Sequence, residues 1–212
     1  MKERFSATYT AALADILDAR GFHAQTLPPS IRPLEPGMKL AGQAYTVKGR
    51  PAETVDYDSA LRKVLTMLGD VPADHVAVYA CEQDVSAHLG KLSVTSLKAR
   101  GVAGCVVDGG CRDIRFILDE GFPVFCRYVT PEDSTWRWEL EATQVSITIG
   151  NVRIEPGDWV VGDDDGVVLV PHGIAESVLG EAERKAATES EIRVAVREGM
   201  LPLEAYERFG TF

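Results

Sequence analysis

Apolar residues in the first twenty positions recur at helical spacing. Ala12, Ile16 and Ala19 fall on one face with Leu13 and Leu17 beside them, which predicts a helix over residues 6–20 that Gly21 ends. Asp18 rides on its solvated side and Asp15 beside the apolar stripe. Residues 28–37 then read as irregular, because four prolines remove donors and fix φ. Loose alternation over 40–47 predicts a strand, with Gly42 and Ala44 small on one face. Helical spacing returns at Ala60, Leu61, Val64, Leu65 and Leu68, a helix over roughly 56–69. Residues 76–81 are apolar throughout, as in a strand covered on both faces. Gly90 opens a helix carrying Leu92, Thr95, Leu97 and Ala99 that stops before Gly101.

Pattern meets chemistry in Val102-Ala103-Gly104-Cys105-Val106-Val107-Asp108-Gly109-Gly110-Cys111-Arg112-Asp113. Its apolar, β-branched centre reads as a second buried strand, and Gly109 and Gly110 read as a turn in which φ > 0 is allowed. Arg112 offers a planar fork of donors that matches a carboxylate, and Asp113 offers a hard oxygen that suits Mg²⁺. On these residues alone a tight turn sealed by a local Arg112–Asp113 ion pair is the favoured reading. Ile117 and Leu118 then fit a short helix, and 123–126 another strand. Residues 130–141, with Asp133, Trp136, Trp138, Glu139 and Glu141, read as a loop or surface flap. Residues 145–149, 152–154, 159–162 and 167–170 read as consecutive antiparallel strands. Their turns are Pro156-Gly157-Asp158 and Asp163-Asp164-Asp165-Gly166, the latter with solvated carboxylates. From Ile174 the stripe Val178, Leu179, Ala182, Ala186, Ile192 and Val196 makes an amphipathic helix that packs on its own domain or on a neighbouring subunit. A polar tail over 197–212 follows.

Composition narrows the function classes. The chain has 212 residues, 45% hydrophobic and 25% charged, which suits a globular α/β protein with a sizeable core. A net charge of -10 argues against a nucleic-acid-binding surface, and an anionic substrate needs a local positive site inside such a shell. No apolar run approaches the ~18 residues of a membrane span, and Met1-Lys2-Glu3-Arg4-Phe5 lacks the apolar core of a signal peptide. The cytoplasm is the expected compartment. Cys81, Cys105, Cys111 and Cys126 have no CxxC spacing and read as reduced core thiols, with Cys111 open to a lowered pKa beside Arg112. The glycine at the helix start leaves N–H groups pointing outward, an anion site or simply a common way to enter a helix.

Taken in order, several motifs resemble the RraA-like family, which includes the 4-hydroxy-4-methyl-2-oxoglutarate aldolases. They are Gly42-Gln43-Ala44-Tyr45-Thr46-Val47, the helix start at Gly90, the stretch from Gly101 to Asp113, Gly121-Phe122-Pro123-Val124-Phe125, and Pro156-Gly157-Asp158 with Asp165-Gly166-Val167-Val168-Leu169-Val170-Pro171. The resemblance covers nearly the whole chain. It implies an α/β fold with a swivelling β/β/α domain over 1–172, a C-terminal helical extension over 173–212, and assembly as homotrimers or homohexamers.

The aldolase branch also implies a site. Asp113 would ligate Mg²⁺ or Mn²⁺, Arg112 would hold the carboxylate or keto oxygen of a pyruvoyl group, and the amides of Leu92 and Ser93, on the turn Gly90-Lys91-Leu92-Ser93, would take the remaining carboxylate oxygens. Breaking a C–C bond beside a 2-keto group leaves an enolate, where a chelated divalent metal acts as a Lewis acid and Arg112 adds a cation that does not deprotonate. Loss of CO₂ leaves the same enolate, so oxaloacetate decarboxylation belongs with this site. The implied function is a metal-dependent lyase acting on a 2-keto acid that bears a second carboxylate or hydroxyl. Two positions depart from the aldolases: the acid after the helix-start glycine is Lys91, and the acid three residues beyond the Asp is Phe116. Lys91 would pair with Asp113, act as an acid/base, or clamp a second carboxylate. A further acid, supplied from a neighbour's C-terminal helix, maps to Glu189 or, by helix register, Glu191. The family also holds a regulator of RNA-degrading enzymes, so a non-catalytic protein-binding ring is the alternative. Arg112 and Asp113 favour the lyase. A methyltransferase is disfavoured, since no glycine-rich S-adenosylmethionine loop follows the first strand.

Overall fold

Alternation survives even in strands that are buried throughout, and it divides the molecule into an inside and an outside. The computed structural model describes residues 1–52, 56–82 and 85–212. In chain order it contains α1 (Lys2–Ala7), α2 (Thr10–Ala19), β1 (Arg32–Pro33), β2 (Leu40–Pro51) and α3 (Tyr57–Asp70). Then come β3 (His75–Ala80), β4 (Ala87–Leu89), α4 (Lys91–Ala99), β5 (Gly104–Cys111), α5 (Ile114–Glu120) and β6 (Val124–Val129). The remainder holds β7 (Trp138–Thr143), β8 (Ile147–Ile149), β9 (Val152–Ile154), β10 (Trp159–Asp163), β11 (Gly166–Val170), α6 (Ala175–Arg197) and α7 (Pro202–Phe209). Among the described residues no helix is long and apolar enough to cross a membrane.

The architecture is α/β, as expected. β2, β3, β5 and β6 lie side by side and parallel, with short β4 parallel against the end of β5. β10 and β11 extend the sheet antiparallel beyond β2, and β7 pairs with the far end of β2. The proline-rich segment, read as irregular, nearly closes this sheet. Its start bonds to β11, with Leu27 N–H on Val167 O at 2.9 Å and Leu169 N–H on Gln25 O at 2.8 Å. Arg32 and Pro33 then pair with Cys126 and Phe125 on β6, an edge position where a missing proline donor is tolerated.

Inside the curved sheet Val76, Val78, Val106, Phe125, Val160 and Leu169 pack with the β8–β9 hairpin. The alternate residues face outward into two further clusters. Ala77, Tyr79, Cys105 and Val107 lie under residues of α3, α4 and α5. Trp159, Val161, Val168 and Val170 lie under α1, α2 and the first half of α6.

Three expectations need correction. The first helix is two helices, broken at Thr8 and Tyr9, because Asp163 caps α2 from the β10–β11 turn: its carboxylate accepts the Thr10 N–H at 2.8 Å and the Thr10 hydroxyl at 2.6 Å. Asp163 is therefore not merely a solvated turn residue. Within the expected helical extension, which needs no such change, the polar tail forms α7, whose Ala205 is buried. The supposed flap is partly strand: Trp138 is 3% exposed in β7, and its indole N–H donates to Cys81 O at 3.0 Å. Trp138→Phe should cost about 2 kcal/mol through lost area and an unsatisfied carbonyl, lowering the melting temperature by roughly 4–8 °C in a thermal melt. An unchanged melt would return the segment to the surface.

Candidate active site

β5 delivers the central residues. It lies in the middle of the parallel group, and its carboxyl end opens onto a cleft, where ligand sites of parallel sheets form. Gly109 and Gly110 lie within β5 and neither has a positive φ, so the turn expected there is not made. Proximity requires glycine instead. A Cβ on Gly109 would stand 2.7 Å from His88 Nδ1, and one on Gly110 would stand 2.5 Å from a ring carbon of Tyr128. The left-handed position falls on Asp113 itself, with φ 60° and ψ 36° at the N-cap of α5. Asp tolerates this region better than most residues, at about 1 kcal/mol.

Arg112 and Asp113 find different partners. The Arg112 guanidinium lies 3.5 Å from Asp133 Oδ2, while Asp113 Oδ2 accepts the Lys91 backbone N–H at 3.0 Å. The local Arg112–Asp113 seal is thus not what the turn makes. Gly90, at the N-cap of α4, touches both: a Cβ there would meet Asp113 Oδ2 at 3.0 Å and Arg112 Nε at 3.3 Å. Any larger residue would push the pair off the helix start. The first turn of α4 leaves the N–H groups of Leu92 and Ser93 without intrahelical acceptors. The Lys91 side chain does not go to Asp113; its ammonium lies over the Phe116 ring, 4.8 Å from the centroid. The two residues that depart from the aldolase pattern contact each other.

These groups line a cleft of about 500 Å³ between α3 and the α4–β5 edge. Asp133, Thr135 and His88 join them there, none of which the sequence marked as a site residue. Asp133 was hidden in the supposed flap, and its Oδ1 accepts the Thr135 N–H at 3.1 Å and hydroxyl at 3.0 Å. A second hollow shares Lys91, Arg112 and Asp113 from the other side, against Val129 and Pro131.

His88 is 8% exposed and packs edge-on to Trp138, 5.1 Å between centroids. Burial pushes its pKa down to about 4, so the imidazole is neutral at pH 7. The unfolded chain takes up a proton near pH 6.5 and the folded chain does not, so stability is whole above about 6.5 and declines as pH falls toward 4. The loss from this group is on the order of 3 kcal/mol. Urea midpoints should follow that slope, and His88→Gln should flatten it.

Other expected participants lie elsewhere. Glu189, on α6, accepts from the Tyr9 hydroxyl and has Lys185 Nζ at 3.8 Å; it does not line the cleft of its own chain. Burial, then the bond to Glu189, pushes the Tyr9 phenol up to about 12. Glu191 lines a separate hollow beside Arg208 and Phe209. Cys111 is buried, and its hydrogen bond with Cys126, then burial, pushes its thiol up rather than down. It is no nucleophile.

Among the described residues no three His, Cys, Asp or Glu side chains gather at metal-ligand spacing. The cleft lining offers two carboxylates: Asp133, which Arg112 approaches at 3.5 Å, and Asp113, whose Oδ1 makes no hydrogen bond among the described residues. One carboxylate fits Mg²⁺, which keeps several waters and takes other oxygens from a bound substrate. It does not fit a caged or thiolate-bound ion.

The RraA-like family model, described as Aldolase/RraA, matches residues 10–169. A protein of Halalkalibacterium halodurans named "Putative 4-hydroxy-4-methyl-2-oxoglutarate aldolase" is 32% identical over 96% of this chain and 91% of its own. A solved protein from Pseudomonas syringae pv. tomato superposes with a TM-score of 0.84 at 29% identity, covering 96% of this chain and 95% of that one. Streptomyces coelicolor RraAS2, described as an unusual member of the RNase ES inhibitor RraA protein family, superposes with a TM-score of 0.80 at 29% identity, covering 91% and 94%. By the extent of the sequence match and by its fold, the chain belongs to the RraA-like family.

Proposed function

We propose that the protein is a carbon–carbon lyase that releases pyruvate from a 2-keto acid, by aldol cleavage, decarboxylation or both. The observation that supports it is the convergence on one cleft of a guanidinium, a carboxylate with an open oxygen and the outward amides of α4. Together these can grip a pyruvoyl group at its carboxylate and its keto oxygen. The amides of Leu92 and Ser93 donate to the carboxylate. Arg112 stays cationic throughout and stabilises the negative charge that reaches the keto oxygen as the bond breaks. Asp113 would hold a divalent ion, Mg²⁺ or Mn²⁺, which would supply Lewis acidity at that oxygen when bound. Lys91, kept beside the cleft by the face of Phe116, returns the proton that the enolate carbon takes up.

The proposal extends to assembly. The 1–172 domain would form trimers or hexamers in the cytoplasm, with the 173–212 extension bringing Glu189 or Glu191 toward a neighbour's site. Within one chain the first half of α6 is already spent on its own core, so the second half is what remains for that contact.

A pyruvate-release assay over 4-hydroxy-2-keto acids and oxaloacetate, with and without Mg²⁺, tests the reading. Metal-stimulated release is expected. Silence across the panel in both conditions would favour the second reading, a protein-binding ring acting on RNA-degrading enzymes, which the likeness to RraAS2 supports.

A further inference from the structure

The cleft has two unlike walls. Every charged residue among its described lining lies at one side: Lys91, Arg112, Asp113 and Asp133. Facing them, α3 presents Tyr57, Leu61, Val64 and Leu65, with Trp138 and Leu140 of β7 at the floor. Leu65 is 56% exposed and Tyr57 42% exposed, an apolar wall with nothing of this chain fully covering it. Leaving aside the ion proposed at Asp113, the charged side sums to zero, two cations against two acids, and Arg112 already shares its charge with Asp133. His88, the imidazole among the lining residues, is neutral near pH 7. One carboxylate can be matched by Arg112 and the α4 amides. A second, on the far half of a substrate, would meet leucines, and Lys91 is the one cation left to reach it among the described lining residues.

We infer that the substrate of the aldol cleavage is a 2-keto monoacid whose distal half is apolar, an aryl or branched alkyl group lying against α3, rather than a dicarboxylate. This rests on the lyase reading for its chemistry but not for its binding. In such a 4-hydroxy-2-keto acid the C3–C4 bond breaks and the C4 hydroxyl gives up its proton as its carbon becomes the released aldehyde. The electron pair passes to C3, giving pyruvate enolate, which takes up a proton.

Isothermal titration of the full-length protein in magnesium buffer with 2-oxo-4-phenylbutanoate and with 2-oxoglutarate reads the preference without turnover. The phenyl compound should bind at least about tenfold tighter, since apolar pockets discriminate on that scale. Leu65→Lys, at an exposed position of α3, should narrow or reverse the ratio. Equal or tighter binding of 2-oxoglutarate, or binding of neither compound, overturns the inference. In parallel, pyruvate release is measured from 4-hydroxy-2-oxo-4-phenylbutanoate and 4-hydroxy-4-methyl-2-oxoglutarate. Tighter phenyl binding with no pyruvate from either would sink the lyase reading and leave the pocket's preference standing.

Discussion

Turnover of an Asp113→Asn variant should fall roughly a hundred- to a thousandfold, while its melting temperature stays within a few degrees of the parent's. Asparagine removes the charge and little else. Its amide oxygen can still accept the Lys91 N–H, which Asp113 now takes at 3.0 Å, and it tolerates the φ of 60° found there. The fold thus keeps its turn into α5 while the hard anionic oxygen disappears. Alanine would be a poorer test, because it adds backbone strain to the loss of charge. Steady-state pyruvate release with a magnesium titration, beside a thermal melt, gives both readings. Full activity in this variant would take Asp113 out of the site.

Arg112→Lys should lower kcat/KM by about 2–4 kcal/mol of transition-state stabilisation, roughly thirty- to a thousandfold. Lysine keeps the positive charge and can still reach toward Asp133, so neither the local field nor the pairing at 3.5 Å is the variable. What goes is the planar fork that fixes two oxygens at once. The loss should appear in kcat as well as KM, because the charge on the keto oxygen grows as the bond breaks. Parental kcat/KM in this variant would show that Arg112 is structural.

Local signals were legible in the sequence and distant ones were not. The run Cys105-Val106-Val107 gave β5, and the glycine before Lys91 gave the start of α4, because burial and helix entry leave their marks within a few residues. β7 was missed because its charges read as loop. On the solvent side they form a cross-strand ladder: Lys48 lies 3.0 Å from Glu141, and Arg50 lies 3.0 Å from Glu141 and 3.4 Å from Glu139. Polarity there reports a partner strand about ninety residues away. The break between α1 and α2 was hidden for the same reason, since its cap comes from Asp163. In the site, adjacency of Arg112 and Asp113 could be read, but their separate partners could not. Asp133 reaches the cleft only because β7 follows it back into the sheet.

The four cysteines have a practical consequence. All sit on or beside the central strands, at 0% exposure for Cys81, Cys105 and Cys111 and 5% for Cys126. A thiol reagent cannot reach Cys105 through surface fraying, because it lies on the part of β5 held between β3 and β6. Modification must wait for the sheet itself to part, and that event is close to global unfolding. The chain therefore carries its own clock. In excess reagent under native conditions, the labelling rate at Cys105 reads how often the molecule opens completely, with no engineered probe.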